Sequence, residues 1–312
     1  MTQHLDVFLA SPRGFCAGVV RAVDIVELAL RKFGPPVYVK HQIVHNPYVV
    51  ADLEAKGAVT VENVAEVPGG AVVVFSAHGS PPSDYKVAEK NHLRVIDATC
   101  PLVTRVHNEA KKYVREGKKV VLVGHRGHQE VIGTTGQAPM ALFDERENLG
   151  LPDWDRNTAV AVLTQTTLSV RDTAKAVAEV RKHYPNATVR NDICYATTNR
   201  QEAVQELSRL AQIVLVIGAQ NSSNCNRLKE VAIAEGVSAH LINGPAELDM
   251  AWFAGVTRVG ITSGASTPEK LVQAVVKALT PRNVVYVGGP DEDITFKLPE
   301  ELRDVGRAPA TS

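Results

Sequence analysis

Residues 93–106 read LRVIDATCPLVTRV: a β-branched run, a cysteine at position 100, then a proline and an amphipathic segment. The run has the length and composition of a buried strand, and Pro101 suits the first position of a helix. The same order recurs in DVFLASPRGFCAGVVRAV at 6–23, around Cys16, and in ATVRNDICYATTNRQEAV at 187–204, around Cys194. The intervals between these cysteines are nearly equal and far too long for a zinc knuckle or a C-x-x-C pair. They mark equivalent positions in a repeated architecture. Three thiolates meeting at one point hold three corners of a metal centre and leave a fourth open.

Working outward, strand-plus-loop units fall into sets. IVHN, FSAHGS and DATC lie in the first third of the chain, VGHRGHQE, LTQTTLS and NDIC in the second, and IGAQNSSN and ITSGAST in the third. The third set lacks a cysteine unit, which the N-terminal LASPRGFC supplies if the first strand joins the last sheet. Strand-like runs at 36–43, 58–62, 71–76, 93–97, 119–124, 140–144, 159–164, 188–192, 213–218, 240–243 and 258–262 alternate with helical periodicity. Examples are Ala174, Val177, Ala178 and Arg181, and Val204, Leu207 and Ala211. Thr198 with Gln201 has the pattern of a capping box. The class is α/β: three similar small α/β domains with parallel sheets in a pseudo-threefold arrangement. The expected divisions are 17-100, 101-194 and 195-283 with 1-16, followed by a closing segment at 284-312. Polar residues at the strand ends then face a common centre, where open parallel sheets bind ligands.

The 312 residues, 45% hydrophobic and 22% charged, have the composition of an ordinary globular enzyme. Lys+Arg 34 balances Asp+Glu 34. No overall field attracts nucleic acid or an anionic membrane, so an anionic ligand must be held by a local cluster. No apolar run approaches the ~20 residues of a membrane span, and no leader precedes the first strand. Four cysteines without a secretory signal favour metal binding or catalysis in a reducing, cytoplasmic setting over disulfides.

Each of the three spaced cysteines precedes a helix start, where the helix dipole favours thiolate. Such a trio suits a [4Fe-4S] cluster with one iron lacking a protein ligand. A single free cysteine in such a place is ordinary core, and the threefold placement is what argues otherwise. His45, His78 and His128 each follow a strand. With Ser222, Ser223, Asn224 and Ser266 they offer neutral or switchable donors near helix starts, which suits a phosphate or diphosphate. Taken alone, NSSN and SGAST read equally well as turn and cap chemistry. Glu130 is the best-placed general acid. Thr166 and Thr167 either orient the same substrate oxygen or cap the next helix. His41, His107 and His125 sit out of step with the repeat and read as supporting residues. No G-x-G-x-x-G follows a strand and no P-loop occurs, so electrons for a redox reaction must come from outside.

PRGFCAGVVRAV, VHNPYVV, FSAHGS, DATCPLVTRVH, GHRGHQEVIGTTGQ, TQTTLSV, DICYATTNRQEAV, NSSNCNRL and SGASTPEKLV together resemble the LytB/IspH family, the 4-hydroxy-3-methylbut-2-enyl diphosphate reductases of the non-mevalonate (MEP/DOXP) isoprenoid pathway. The resemblance runs from about Asp6 to Leu279, and EDITFKLPEELR looks like the family's closing segment. It implies the family's fold, three α/β domains around a central iron-sulfur cluster. It also implies reductive dehydroxylation to isopentenyl and dimethylallyl diphosphate, with the substrate hydroxyl on the open iron of a [4Fe-4S] cluster.

By the same resemblance Cys16, Cys100 and Cys194 are cluster ligands, and His45, His78, Ser222, Ser223, Asn224 and Ser266 hold the diphosphate. His128 serves both diphosphate binding and proton delivery, Glu130 donates protons, and Thr166 and Thr167 lie beside the substrate hydroxyl. Cys225, where many relatives have serine, reads as a packed residue. The implied partners are the allylic diphosphate and an external ferredoxin- or flavodoxin-type donor, with a monomeric chain and no nucleic acid or membrane. Two alternatives stay open at this point: a quinolinate synthase-like [4Fe-4S] enzyme, which explains the cysteine spacing but not the QNSSN and SGAST donors, and a non-enzymatic, metal-stabilised binding protein.

Overall fold

The computed structural model describes residues 5–147, 149–289 and 292–305. β1 (Asp6–Ser11) leads into α1 (Ala17–Phe33). Next come β2 (Val37–Lys40), α2 (Pro47–Ala55), β3 (Ala58–Val61), β4 (Val72–Phe75), α3 (Pro82–Lys90) and β5 (Arg94–Asp97), whose strands form a parallel sheet in the order β3-β2-β4-β5. α4 (Pro101–Arg115), β6 (Lys119–Val123), α5 (Gln129–Thr135), β7 (Ala141–Phe143), β8 (Val160–Thr164), α6 (Val170–His183) and β9 (Thr188–Val189) follow. They give a second parallel sheet, β7-β6-β8-β9. The last part comprises α7 (Tyr195–Leu210), β10 (Ile213–Ile217), α8 (Ser223–Ala234), β11 (Ser238–Ile242), β12 (Arg258–Ser263), α9 (Glu269–Leu279) and β13 (Asn283–Gly288).

The third sheet runs β11-β10-β12-β1-β13, so the first strand of the chain is inserted between two of the last. Asp6 pairs with Arg258 on one side and with Asn283 on the other, both in parallel register. Strands covered on both faces read as continuous apolar runs. β10, IVLVI, is buried at every position. Leu215, Ile217 and Ile261 pack with Val272 and Val275 of α9, while Val214 and Val216 pack with Val204, Leu207 and Leu228 on the opposite face. In α1, Ala22, Ile25, Val26 and Ala29 form the helical stripe that faces the first sheet's core.

Four local readings need correction. β13 was not among the expected strands: VVYV carries the β-branched and aromatic signal, but it is an edge strand left largely exposed. β9 is only Thr188–Val189, shorter than expected, because Asp192 turns inward and is fully buried. On α6 the period holds but the phase is off, since Thr173, Ala176 and Val180 are the buried stripe while Ala174 and Ala178 are exposed. The proposed Thr198 cap lies inside α7. Cys194 is the N-cap and accepts the Thr197 N–H, and its carbonyl takes the Thr198 N–H at 3.0 Å.

After β13 the chain returns across the helices that follow Cys16 and Cys194. Arg200, fully buried, meets the Glu292 carboxylate at 3.0 and 3.1 Å and also donates to the carbonyls of Gly14 (2.9 Å) and Ala196 (3.0 Å). Leu302 is 0% exposed beneath α1, and Arg21 donates to the Lys297 carbonyl at 2.8 Å. Glu292→Ala strands a buried guanidinium, so it should destabilise the protein by ~3 kcal/mol, the low end for a broken buried pair. Urea denaturation measures this, and a loss under ~1 kcal/mol would mean that water compensates Arg200.

Candidate active site

The parallel register aims the carboxyl ends of nine of the thirteen described strands at one place. Cys16 follows β1, His45 follows β2, His78 follows β4, Cys100 follows β5, His128 follows β6, Thr166 and Thr167 follow β8, and Cys194 follows β9. Ser222, Ser223 and Asn224 follow β10, and Ser266 follows β12. All of these residues and Glu130 line one cavity of about 120 Å³.

Cys16, Cys100 and Cys194 are the N-caps of α1, α4 and α7. Each sulfur therefore sits where unpaired backbone N–H groups and the helix dipole favour negative charge. Burial opposes this, pushing the Cys100 thiol up to about 12 and the Cys194 thiol up to about 11, with the neighbouring cysteines adding to the shift. Gly18 keeps the space open. A Cβ there would lie 2.9 Å from Cys100 Sγ and 3.8 Å from Cys16 Sγ. Among the described residues no three His, Cys, Asp or Glu side chains converge as a single ion requires. The thiols instead ring a space, and a three-thiol donor set around a void fits a polynuclear iron-sulfur centre. Gly18 escaped the sequence reading, although a glycine in the first turn of a helix is itself a signal of close approach.

The three histidines come together. The His45 and His78 rings stack with centroids 4.1 Å apart, and His128 meets them edge-on at 5.6 and 6.0 Å. Burial, then the neighbouring imidazoles, pushes His45 down to about 4 and His128 down to about 3, and His78 well below the usual range. The shifts favour neutral imidazoles near pH 7. Ser266 donates to the His45 carbonyl at 3.1 Å, joining the third sheet's loop to the histidine cluster. Ser222 caps α8, and Asn224 accepts the Ala265 N–H at 3.0 Å while its Nδ2 is buried without an acceptor. An orphaned donor at a helix N-terminus, beside three imidazoles, fits a phosphoryl oxygen.

Glu130 is 3% exposed, and burial raises its carboxyl to about 7. Thr166 holds both oxygens: its N–H donates to Oε1 at 2.6 Å and its hydroxyl lies 2.9 Å from Oε2. The Glu130 N–H in turn donates to His128 Nδ1 at 3.2 Å. Thr166 therefore orients the carboxyl, and Ser169, not either threonine, caps α6.

The sequence profile of the LytB protein family matches residues 7–280. The chain belongs to the LytB family. A Rhodopseudomonas palustris protein named 4-hydroxy-3-methylbut-2-enyl diphosphate reductase 1 is 51% identical over 303 residues, spanning 95% of this LytB-family chain and 99% of that protein. The Zymomonas mobilis reductase of the same name is 48% identical over 306 residues, spanning 96% and 90%. The solved structure of the E-1-hydroxy-2-methyl-but-2-enyl-4-diphosphate reductase from Plasmodium falciparum superposes with a TM-score of 0.91 at 37% identity, covering 96% of this chain and 97% of that one.

The other described histidines of this LytB-family chain lie outside the cavity. His41 pairs with Glu62 at 2.6 Å, His125 with Asp144 at 3.3 Å, and His107 is buried in α4. Cys225 is 0% exposed, wedged where a Cβ on Gly218 or Gly264 would come within 2.3 or 2.2 Å of its sulfur. No described helix is long and apolar enough to cross a membrane.

The depressed histidines fix a direction for stability. Unfolded imidazoles take up protons near pH 6.5, whereas folded His45 waits until about 4. The unfolded chain binds more protons in that window, so stability present above pH ~6.5 is lost as the pH falls. Glu130 acts oppositely, its contribution being lost as pH rises from 4.5 through about 7. Burial also lowers His107, His125 and His240 and raises Asp192, to about 6, and Glu230; six depressed imidazoles outweigh three raised carboxyls, so urea midpoints should drop between pH ~6.5 and ~4.5. The drop should flatten when His45, His78 and His128 are replaced by Gln; an unchanged slope would mean other groups set it.

Proposed function

We propose that this chain performs the last step of the non-mevalonate isoprenoid pathway, the reductive dehydroxylation of (E)-4-hydroxy-3-methylbut-2-enyl diphosphate to isopentenyl and dimethylallyl diphosphate. The observation that carries the reading is the single cavity in which three helix-capping thiols, three dehydrated imidazoles and a carboxyl that burial raises to about 7 meet. Family membership favours this reading over a quinolinate synthase-like enzyme, and a metal serving only structure would not need a protonated Glu130 beside it.

Cys16, Cys100 and Cys194 are assigned as the protein ligands of one [4Fe-4S] cluster with one iron left open. When bound, that cluster supplies two electrons and a Lewis-acidic contact for the allylic oxygen. His45, His78, His128, Ser222, Ser223, Asn224 and Ser266 take the diphosphate, whose negative charge offsets the dehydration that keeps the imidazoles neutral. Holding that end fixes the carbon chain, so binding energy remote from the reacting bond serves orientation.

The proton route follows from the Glu130 geometry. Its Oε1 accepts the Thr166 N–H and its Oε2 accepts the Thr166 hydroxyl; when the acid carries its proton on Oε2, that second bond reverses. Oε2 then donates to Oγ1, and the threonine's own proton turns into the cavity toward the leaving oxygen, which departs as water. Thr167, which lines the same cavity, is assigned beside that oxygen, and His128 Nδ1 accepts the Glu130 backbone N–H. Two electrons and two protons balance the loss of water, the second proton going to either end of the allylic unit.

The proposal keeps the division 17-100, 101-194, 195-283 with 1-16, and a closing segment, with β13 added to the third unit. It also takes the protein as a cytoplasmic monomer served by a ferredoxin- or flavodoxin-type donor.

Changing Cys16, Cys100 or Cys194 to Ser should abolish cluster assembly, while Cys225→Ser should leave iron content and turnover intact. Anaerobic iron and sulfide analysis decides, and loss in Cys225→Ser with retention in Cys16→Ser would reverse the assignment. Glu130→Gln should cut turnover by ~10² to 10⁴ while inorganic diphosphate still binds. Near-normal turnover would remove Glu130 from the mechanism. The reconstituted protein should be inert with NADPH alone and active with a reduced one-electron donor; activity with NADPH and no mediator would reveal a nucleotide site.

A further inference from the structure

Gln165 lies behind the cavity wall, 1% exposed, and its side chain touches three of the segments that build the site. Its Oε1 accepts the His125 N–H at 3.0 Å; its Nε2 donates to Thr167 Oγ1 at 2.9 Å and to Ser223 Oγ at 3.4 Å. The orientation of the amide follows from chemistry. A backbone N–H can only donate, so the carbonyl oxygen must face His125 and the NH₂ must face the two hydroxyls. Gly124 leaves the room this requires, since a Cβ there would lie 2.7 Å from Val131 Cγ2 and 3.4 Å from Gln165 Oε1.

Because Nε2 fills an acceptor position on each hydroxyl oxygen, each hydroxyl proton must point elsewhere. Ser223 sends its proton to the Thr167 carbonyl at 3.2 Å, tying the start of α8 directly to the threonine loop. Thr167 lines the cavity, and among the described residues no acceptor takes its proton. One buried amide thus sets a substrate-facing donor, fixes the first residue of α8, and anchors the loop that carries His128 and Glu130.

We propose that Gln165 is a positioning residue that couples the diphosphate-binding end of α8 to the proton-delivery pair Glu130 and Thr166. The inference rests on the function proposed above and deepens it. It makes the geometry at the diphosphate and the geometry at the proton donor interdependent, although neither group contacts the other directly through Gln165.

The test uses the cluster-loaded enzyme under anaerobic conditions, with inorganic diphosphate titrated calorimetrically, kcat and KM measured separately, and melting temperature recorded. Gln165→Leu and the isosteric Gln165→Glu both lose the N–H donors to the Thr167 and Ser223 hydroxyls, though the Glu variant keeps an acceptor for His125. Each should bind diphosphate ~10-fold more weakly and lose ~10- to 100-fold in kcat. In a Ser223→Ala background the same Gln165→Leu change should weaken diphosphate by less than ~3-fold, because the partner that transmits the effect is gone. Should Gln165→Leu fail to fold, the Glu variant carries the test. A full ~10-fold loss in both backgrounds, or wild-type binding and turnover in Gln165→Glu, overturns the proposal. Absence of diphosphate binding by the unmodified enzyme would instead refute the site on which the proposal stands.

Discussion

The insertion of β1 between β12 and β13 is the constraint on which the site depends. Sheets of parallel strands bind ligands at their carboxyl edges, and two of the three sheets here bring their own cysteine to that edge at the end of their last strand. The third is built from a stretch with no such unit. Only by taking the first residues of the chain as a central strand does it acquire Cys16, and the register of Asp6 against both Arg258 and Asn283 sets where that cysteine stands. The Cys16 N–H then donates to the Ala265 carbonyl at 3.2 Å, so the loops that follow β1 and β12 in the same sheet are joined.

Dehydration accounts for most of the site's chemistry. The same exclusion of water raises the thiols, lowers the imidazoles and keeps the Glu130 proton in place near neutrality. Under the proposed function a metal centre at the thiols and a polyanion at the imidazoles would offset shifts of opposite sign, and Glu130, tied to the imidazoles through His128 Nδ1, would hold the transferable proton.

The parts legible in the sequence were those carrying a chemical signature at a repeated position. Three cysteines and three histidines, each directly after an apolar run, could be placed because strand ends in parallel sheets converge. What stayed hidden was the neutral support. Gly18 and Gln165 carry no charge and no redox or nucleophilic chemistry, and their roles are defined by what they leave room for or hold in place. The α6 stripe was misjudged because alanine fits either side of a helix at little cost, so Ala174 and Ala178 report nothing about burial. The α7 cap was misread because a threonine pattern was weighed above the cysteine whose sulfur takes the Thr197 N–H at 3.4 Å. β13 was passed over because an exposed edge strand lacks the buried alternation that identifies central ones.

A chain whose first strand must wait for its last has a distinct order of assembly on the ribosome. The first and second sheets contain strands close in sequence and can form as they emerge. β1 has no strand partner until β12 and β13 have been synthesised, although α1, packed on the first sheet, already brings its N-cap Cys16 to Cys100. A ribosome stalled before the final strands yields a chain whose Cys16 loop lacks both its strand neighbours and the Ala265 carbonyl that fixes its N–H.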